Sequence, residues 1–74
     1  MVTIMKDVKI KTEYITLGQL IKFLSLVGSG GEVKFFLMEN QILLNEEPEI
    51  RRGKKLYPED VIKINNQSYR IIKQ

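Results

Sequence analysis

The sequence predicts an α+β fold, with two short packed helices against a small antiparallel sheet. Three observations carry that prediction. Apolar residues recur at helical spacing in only one part of the chain, between Leu17 and Leu37. On either side, short segments alternate or run apolar at strand length. The connections are brief, so elements that follow one another must pack together. With 74 residues, the chain is read as one domain over 1–74, near the size at which burial only just exceeds chain entropy. A hydrophobic fraction of 43% and a charged fraction of 28% suit a soluble globular protein.

Val8-Lys9-Ile10-Lys11-Thr12 alternates with period two and predicts a half-buried strand, leaving open whether Val2-Thr3-Ile4 continues it. Thr16 and Gln19 fit a capping box, in which each side chain satisfies a free backbone N–H, and Ile15 with Leu20 fits the hydrophobic staple around it. Leu17, Leu20, Ile21, Leu24 and Val27 then mark a first helix from 17 to about 26, with Lys22 off that stripe. Gly28 predicts its C-terminal cap. Ser29 with Glu32 predicts a second capping box, opening a helix from 30 to about 39 that buries Val33, Phe36 and Leu37. Phe23, Phe35, Phe36 and Tyr69 read as core or partly buried packing.

Ile42-Leu43-Leu44 has strand length. Pro48 interrupts any strand, so the segment from Glu46 to Lys55 reads as a charged loop. Leu56-Tyr57 predicts a brief strand, Pro58-Glu59-Asp60 a turn and Val61-Ile62-Lys63-Ile64 a strand. Asn65-Asn66-Gln67 then turns the chain into a terminal strand, Ser68-Tyr69-Arg70-Ile71-Ile72.

Twelve Lys and Arg face nine Asp and Glu, for a formal charge of +3. Without Arg51-Arg52-Gly53-Lys54-Lys55, eight positives face nine negatives, a balance of −1. The basicity is therefore local. On charge alone such a run reads first as a solvated turn, and second as a contact for phosphates. Cysteine and histidine are absent, which removes thiolate and imidazole chemistry. The remaining acids cluster in turns, at Glu46-Glu47 and Glu59-Asp60, so no catalytic, metal or cofactor site and no small-molecule substrate is expected. Lys6 stands where a signal peptide needs apolar residues, and no run reaches about 18 apolar residues. The expectation is a cytoplasmic monomer with no membrane partner.

The run "ITLGQLIKFLSLVGSGGEVKFFLMENQILLNEEPEIRRGKKLYPEDVIKI", residues 15–64, resembles the S4 RNA-binding domain. It has two short helices, a serine before the second, a strand ending at Asn45, a polar loop and a "P-x-D-V-I-x-I" close. More narrowly, "TEYITLGQLIKFL", "SGGEVK" and "RRGKKLYPEDVIKI" are similar to the small S4-like proteins called YaaA. The resemblance implies an S4-like (αL) fold in which the helix pair and the hairpin after it make one basic surface for structured RNA, ribosomal RNA or its assembly intermediates. By the same resemblance the RNA-facing positions are Thr16, Ser29, Lys34, Arg51, Arg52, Lys54 and Lys55, with Lys22 as an outer contributor. Many S4 domains carry basic residues where this chain has Leu17 and Gly30, and Asn-Gly where it has Asn45-Glu46. The weight therefore falls on the loop at 51–55.

Each of these positions has a plainer reading. Glu46, Glu47 and Glu49 could pair with the basic loop and cancel it. Ser29-Gly30-Gly31 could cradle a phosphate or simply cap a helix. Tyr57 could stack on an unpaired base or fill a strand position in the core. Gly53 is read as letting the backbone turn or approach between the two charge pairs. The functional alternative is a protein-protein adaptor whose basic loop engages an acidic partner.

Overall fold

A computed structural model describes residues 4–74; Val2 and Thr3 lie outside the described residues. Strand β1, Lys6–Ile10, turns Val8 and Ile10 inward and Lys9 outward, following the alternation in the sequence. It ends before Thr12, whose hydroxyl donates to the Tyr14 carbonyl in the bend that follows (2.8 Å).

Helix α1, Leu17–Phe23, buries Leu17, Gly18, Leu20 and Ile21. It stops short of the expected residue 26. The N–H of Ser25 donates to the Lys22 carbonyl (3.0 Å) and that of Leu26 to the Ile21 carbonyl (3.2 Å), closing a Schellman motif. Its left-handed residue is Ser25, at φ 59°, and not Gly28. A 3₁₀ turn, Gly30–Glu32, then leads into α2, Val33–Glu39, which buries Val33 and Leu37. Phe36 is half-buried against the core. Phe23 and Phe35 depart from the packing expected of them and stand 63% and 61% exposed.

The main sheet has the order β1-β7-β6-β3-β4, with β3 at Ile42–Leu44, β4 at Glu47–Pro48, β6 at Val61–Ile64 and β7 at Gln67–Lys73. Three of its pairings are antiparallel, but β1 lies parallel to β7, with Val8 opposite Ile71. The sheet is thus mixed, correcting the antiparallel expectation. A parallel pair needs a long crossover, and here everything between β1 and β7 supplies it. Pro48 belongs to a strand after all, at the sheet edge, where a residue without an N–H is tolerated. β3 and β4 are joined by Asn45-Glu46, both at positive φ (49° and 73°), the pattern of a type I′ turn.

A separate two-stranded ribbon pairs β2, Ile15–Thr16, with β5, Lys55–Leu56. The core lies between the helix pair and the sheet, with Leu20, Ile21, Leu56, Ile62 and Ile71 wholly enclosed. Each such side chain contributes about 1.5–3 kcal/mol of burial. Ile62 opposes Tyr69, and Ile42 opposes Ile64. A slip of one residue would turn this row to solvent, so the register is firmly specified. Among the described residues no helix is long and apolar enough to cross a membrane, and no acidic cluster suits a metal ion.

Candidate functional site

The basic loop is held by its main chain. The N–H of Leu17 donates to the Lys54 carbonyl (2.9 Å) and that of Gly18 to the Arg52 carbonyl (2.8 Å). The capping box completes the turn: Gln19 N–H donates to Thr16 Oγ1 (3.2 Å) and Thr16 N–H to Gln19 Oε1 (2.9 Å). The donors that a helix start leaves free are therefore filled by protein. Thr16 acts as a cap, and it is the loop side chains that present charge. Gly18 makes this docking possible, because a Cβ there would sit 3.2 Å from the Arg52 carbonyl oxygen. Gly53 has no comparable duty. It lies in the turn that the Lys54 N–H closes onto the Arg51 carbonyl (3.1 Å), but its φ is not positive and a Cβ there would meet nothing within 4 Å, so the turn itself does not demand glycine.

Docked in this way, Arg52 reaches two hollows. One is lined by Thr16, Gly18, Gln19, Lys22 and Gly30, the other by Lys34, Leu37, Met38 and Ile50. Lys22 and Lys34, from different helices, are thus brought to one arginine. The Lys22 ammonium lies beside Gly30, 3.9 Å from where a Cβ would stand. Among the described residues none of Arg52, Lys22 and Lys34 is in an ion pair with an acid.

Arg51 behaves differently. Its Nε donates to Glu49 Oε2 (3.0 Å) and its Nη2 to Oε1 (3.1 Å), so the pair is bidentate. The N–H groups of Ile50 and Arg51 also donate to Glu49 Oε2 (3.2 and 3.1 Å). The guanidinium hydrogen bonds are the largest cause that holds the Glu49 carboxyl down at about 2, from an ordinary 4.5, with burial opposing them. Glu49 in turn pushes the Arg51 pKa up. The cancellation foreseen for the acidic neighbours therefore falls on Arg51 through Glu49; Glu46 and Glu47 are exposed and make no ion pair with the described cations.

Lys54 and Lys55 line a third hollow with Arg51, Gly53 and Tyr57. Tyr57 is 48% exposed and fills no core position. Its ring lies 5.9 Å from that of Tyr14 at 52°, and the Lys55 ammonium sits 4.9 Å above the Tyr14 ring. Sequence reasoning missed Tyr14, although the pairing of Ile15 with Leu56 sets it opposite Tyr57.

Ser29 is brought into none of these clusters. Its hydroxyl makes no capping bond, and Glu32 instead accepts from the Gly28 N–H (3.0 Å). The second capping box is therefore not formed. The third N–H, that of Glu32, donates instead to the Ser29 backbone carbonyl (3.2 Å) in the i to i+3 bonding of the 3₁₀ turn.

Comparison with known proteins bears on the same region. The family described as "S4 domain" matches residues 8–72. The chain is also 51% identical over 57 residues to the probable ribosome maturation protein RlbA of Bacillus subtilis (strain 168), covering 77% of this chain and 80% of that protein.

Proposed function

This chain belongs to the S4 domain family, and from that premise we propose that it is a non-catalytic module that binds structured RNA, in the service of ribosome maturation. The observation that carries the reading is the placement of Arg52 between Lys22 and Lys34 by main-chain bonds from the loop to α1. Three cations from three segments face outward with no carboxylate among the described residues to neutralise them. Lys54 and Lys55 extend the positive surface along the loop. Such a surface matches the spaced phosphates of a folded RNA. The relative's part in ribosome maturation makes ribosomal RNA, or an assembly intermediate that carries it, the favoured target. The protein then acts in the cytoplasm, as a monomer, without cofactor or small-molecule substrate.

Arginine at position 52 can fork two N–H groups onto one phosphate, and the lysines add point charges. About four engaged cations give a logarithmic salt slope on the order of −3, by analogy with duplex DNA. The test is crosslinking in cells followed by sequencing of bound RNA, with an Arg51, Arg52, Lys54, Lys55 to Ala variant as control. Enrichment of ribosomal RNA that the variant loses supports the reading. Equal recovery by the variant overturns it, and salt-sensitive retention on an acidic protein alone would point to the adaptor function.

A further inference from the structure

We infer that Tyr57 is a stacking platform for one unpaired RNA base, so that the preferred RNA carries a single-stranded nucleotide beside its folded part. The inference rests on the RNA reading above and deepens it. Tyr57 is 48% exposed, in a protein that encloses its core aliphatic residues almost completely. Its backbone is nevertheless tightly held. Tyr57 N–H donates to Asp60 Oδ2 (2.8 Å), and the other oxygen of Asp60 accepts from Asn45 Nδ2 (3.1 Å). Asn45 Oδ1 in turn accepts from the Val61 N–H (2.9 Å), tying the support to the sheet. An exposed ring on a fixed backbone loses little freedom when a base stacks on it.

The surroundings suit a nucleotide and not merely an apolar surface. Tyr14 backs Tyr57 at a tilted 5.9 Å, and Lys55 is itself drawn to the Tyr14 ring at 4.9 Å. The hollow beside Tyr57 is lined by Arg51, Gly53, Lys54 and Lys55. A base on the tyrosine would set its own phosphate within reach of lysines, combining stacking with charge as single-strand binding sites do. Phe23 and Phe35 are more exposed, at 63% and 61%, but neither ring is paired with another aromatic ring among the described residues. The hollow beside Tyr57 shares no lining residue with the two that Arg52 lines, which leaves the Arg52 cluster free for the folded part of the same RNA.

The test compares two RNA hairpins with the same stem and loop, one blunt and one with an unpaired 3′ overhang carrying 2-aminopurine. The overhang should bind roughly 5- to 150-fold more tightly, which corresponds to about 1–3 kcal/mol for one stacked base, and its fluorescence should be quenched. Tyr57→Ala should bring the ratio near one and abolish quenching, while Tyr57→Phe should keep both. A ratio near one in the unmodified protein overturns the inference, as does a ratio that survives Tyr57→Ala. Failure of both hairpins to bind overturns the RNA reading itself, and this inference with it.

Discussion

Two helix starts in this protein carry nearly the same sequence signature and do opposite things with it. Thr16-Leu17-Gly18-Gln19 closes a reciprocal box whose remaining N–H groups are taken by carbonyls of the basic loop. Ser29-Gly30-Gly31-Glu32 closes none: the serine caps nothing and Glu32 turns back to Gly28. The first start is a joint between two parts of the molecule, and the second is only an entry to a helix. A capping signature gives the local chemistry, and a segment distant in sequence decides what that chemistry is attached to.

The largest effect should come from filling the space where the loop meets α1. Gly18→Val forces branched carbon into the Arg52 carbonyl, already 3.2 Å from a bare Cβ, and should cost about 1–3 kcal/mol in urea unfolding. It should also weaken RNA binding, by displacing Arg52. A variant of unchanged stability and affinity would break the comparison. Thr16→Ala should cost about 1 kcal/mol, because it leaves the Gln19 N–H without its acceptor.

Glu49→Gln acts on the other side of the loop and is best seen as a change of pH dependence. The folded-state pKa of Glu49 lies below its ordinary 4.5, at about 2, so its contribution is complete above 4.5 and is lost as the pH falls towards 2. The variant should have a flatter profile of Tm against pH in that window. At neutral pH it should let Arg51 take part in binding, so that Arg51→Ala costs more affinity in the variant than in the parent. The smallest effect belongs to the second helix start: Ser29→Ala should change stability by no more than about 0.5 kcal/mol, measured in the same unfolding series. A loss as large as that of Thr16→Ala would make the two starts alike.

The legible parts of the fold are those with a local period. The apolar face of α1, the strand at Val61–Ile64 and the turn at Asn65 follow from neighbouring residues. The β2–β5 ribbon is too short, at two residues per strand, for any period to reveal it. The parallel β1–β7 pair joins segments more than sixty residues apart, as Lys6 opposite Tyr69 illustrates, and no local signal encodes it. The end of α1 was obscured because Ser25 adopts the conformation for which Gly28, three residues on, is the better candidate. At the site, charge composition located the loop but could not separate Arg51 from Arg52. Both are arginines in one run, and only the folded position of Glu49 makes one paired and the other free among the described residues.

Among the described residues, left-handed backbone is carried wholly by residues with side chains, Ser25, Asn45, Glu46, Glu59 and Asn65, while no glycine there has a positive φ. Each of these except asparagine is a poor occupant of that region. Glycine at 25 or 46 would relieve strain by a simple substitution, so the present sequence lies below the stability its own backbone permits. Sequence drift toward glycine at those positions would widen the range of otherwise damaging changes the RNA-facing surface could accept, letting binding preferences diverge while the scaffold stays the same.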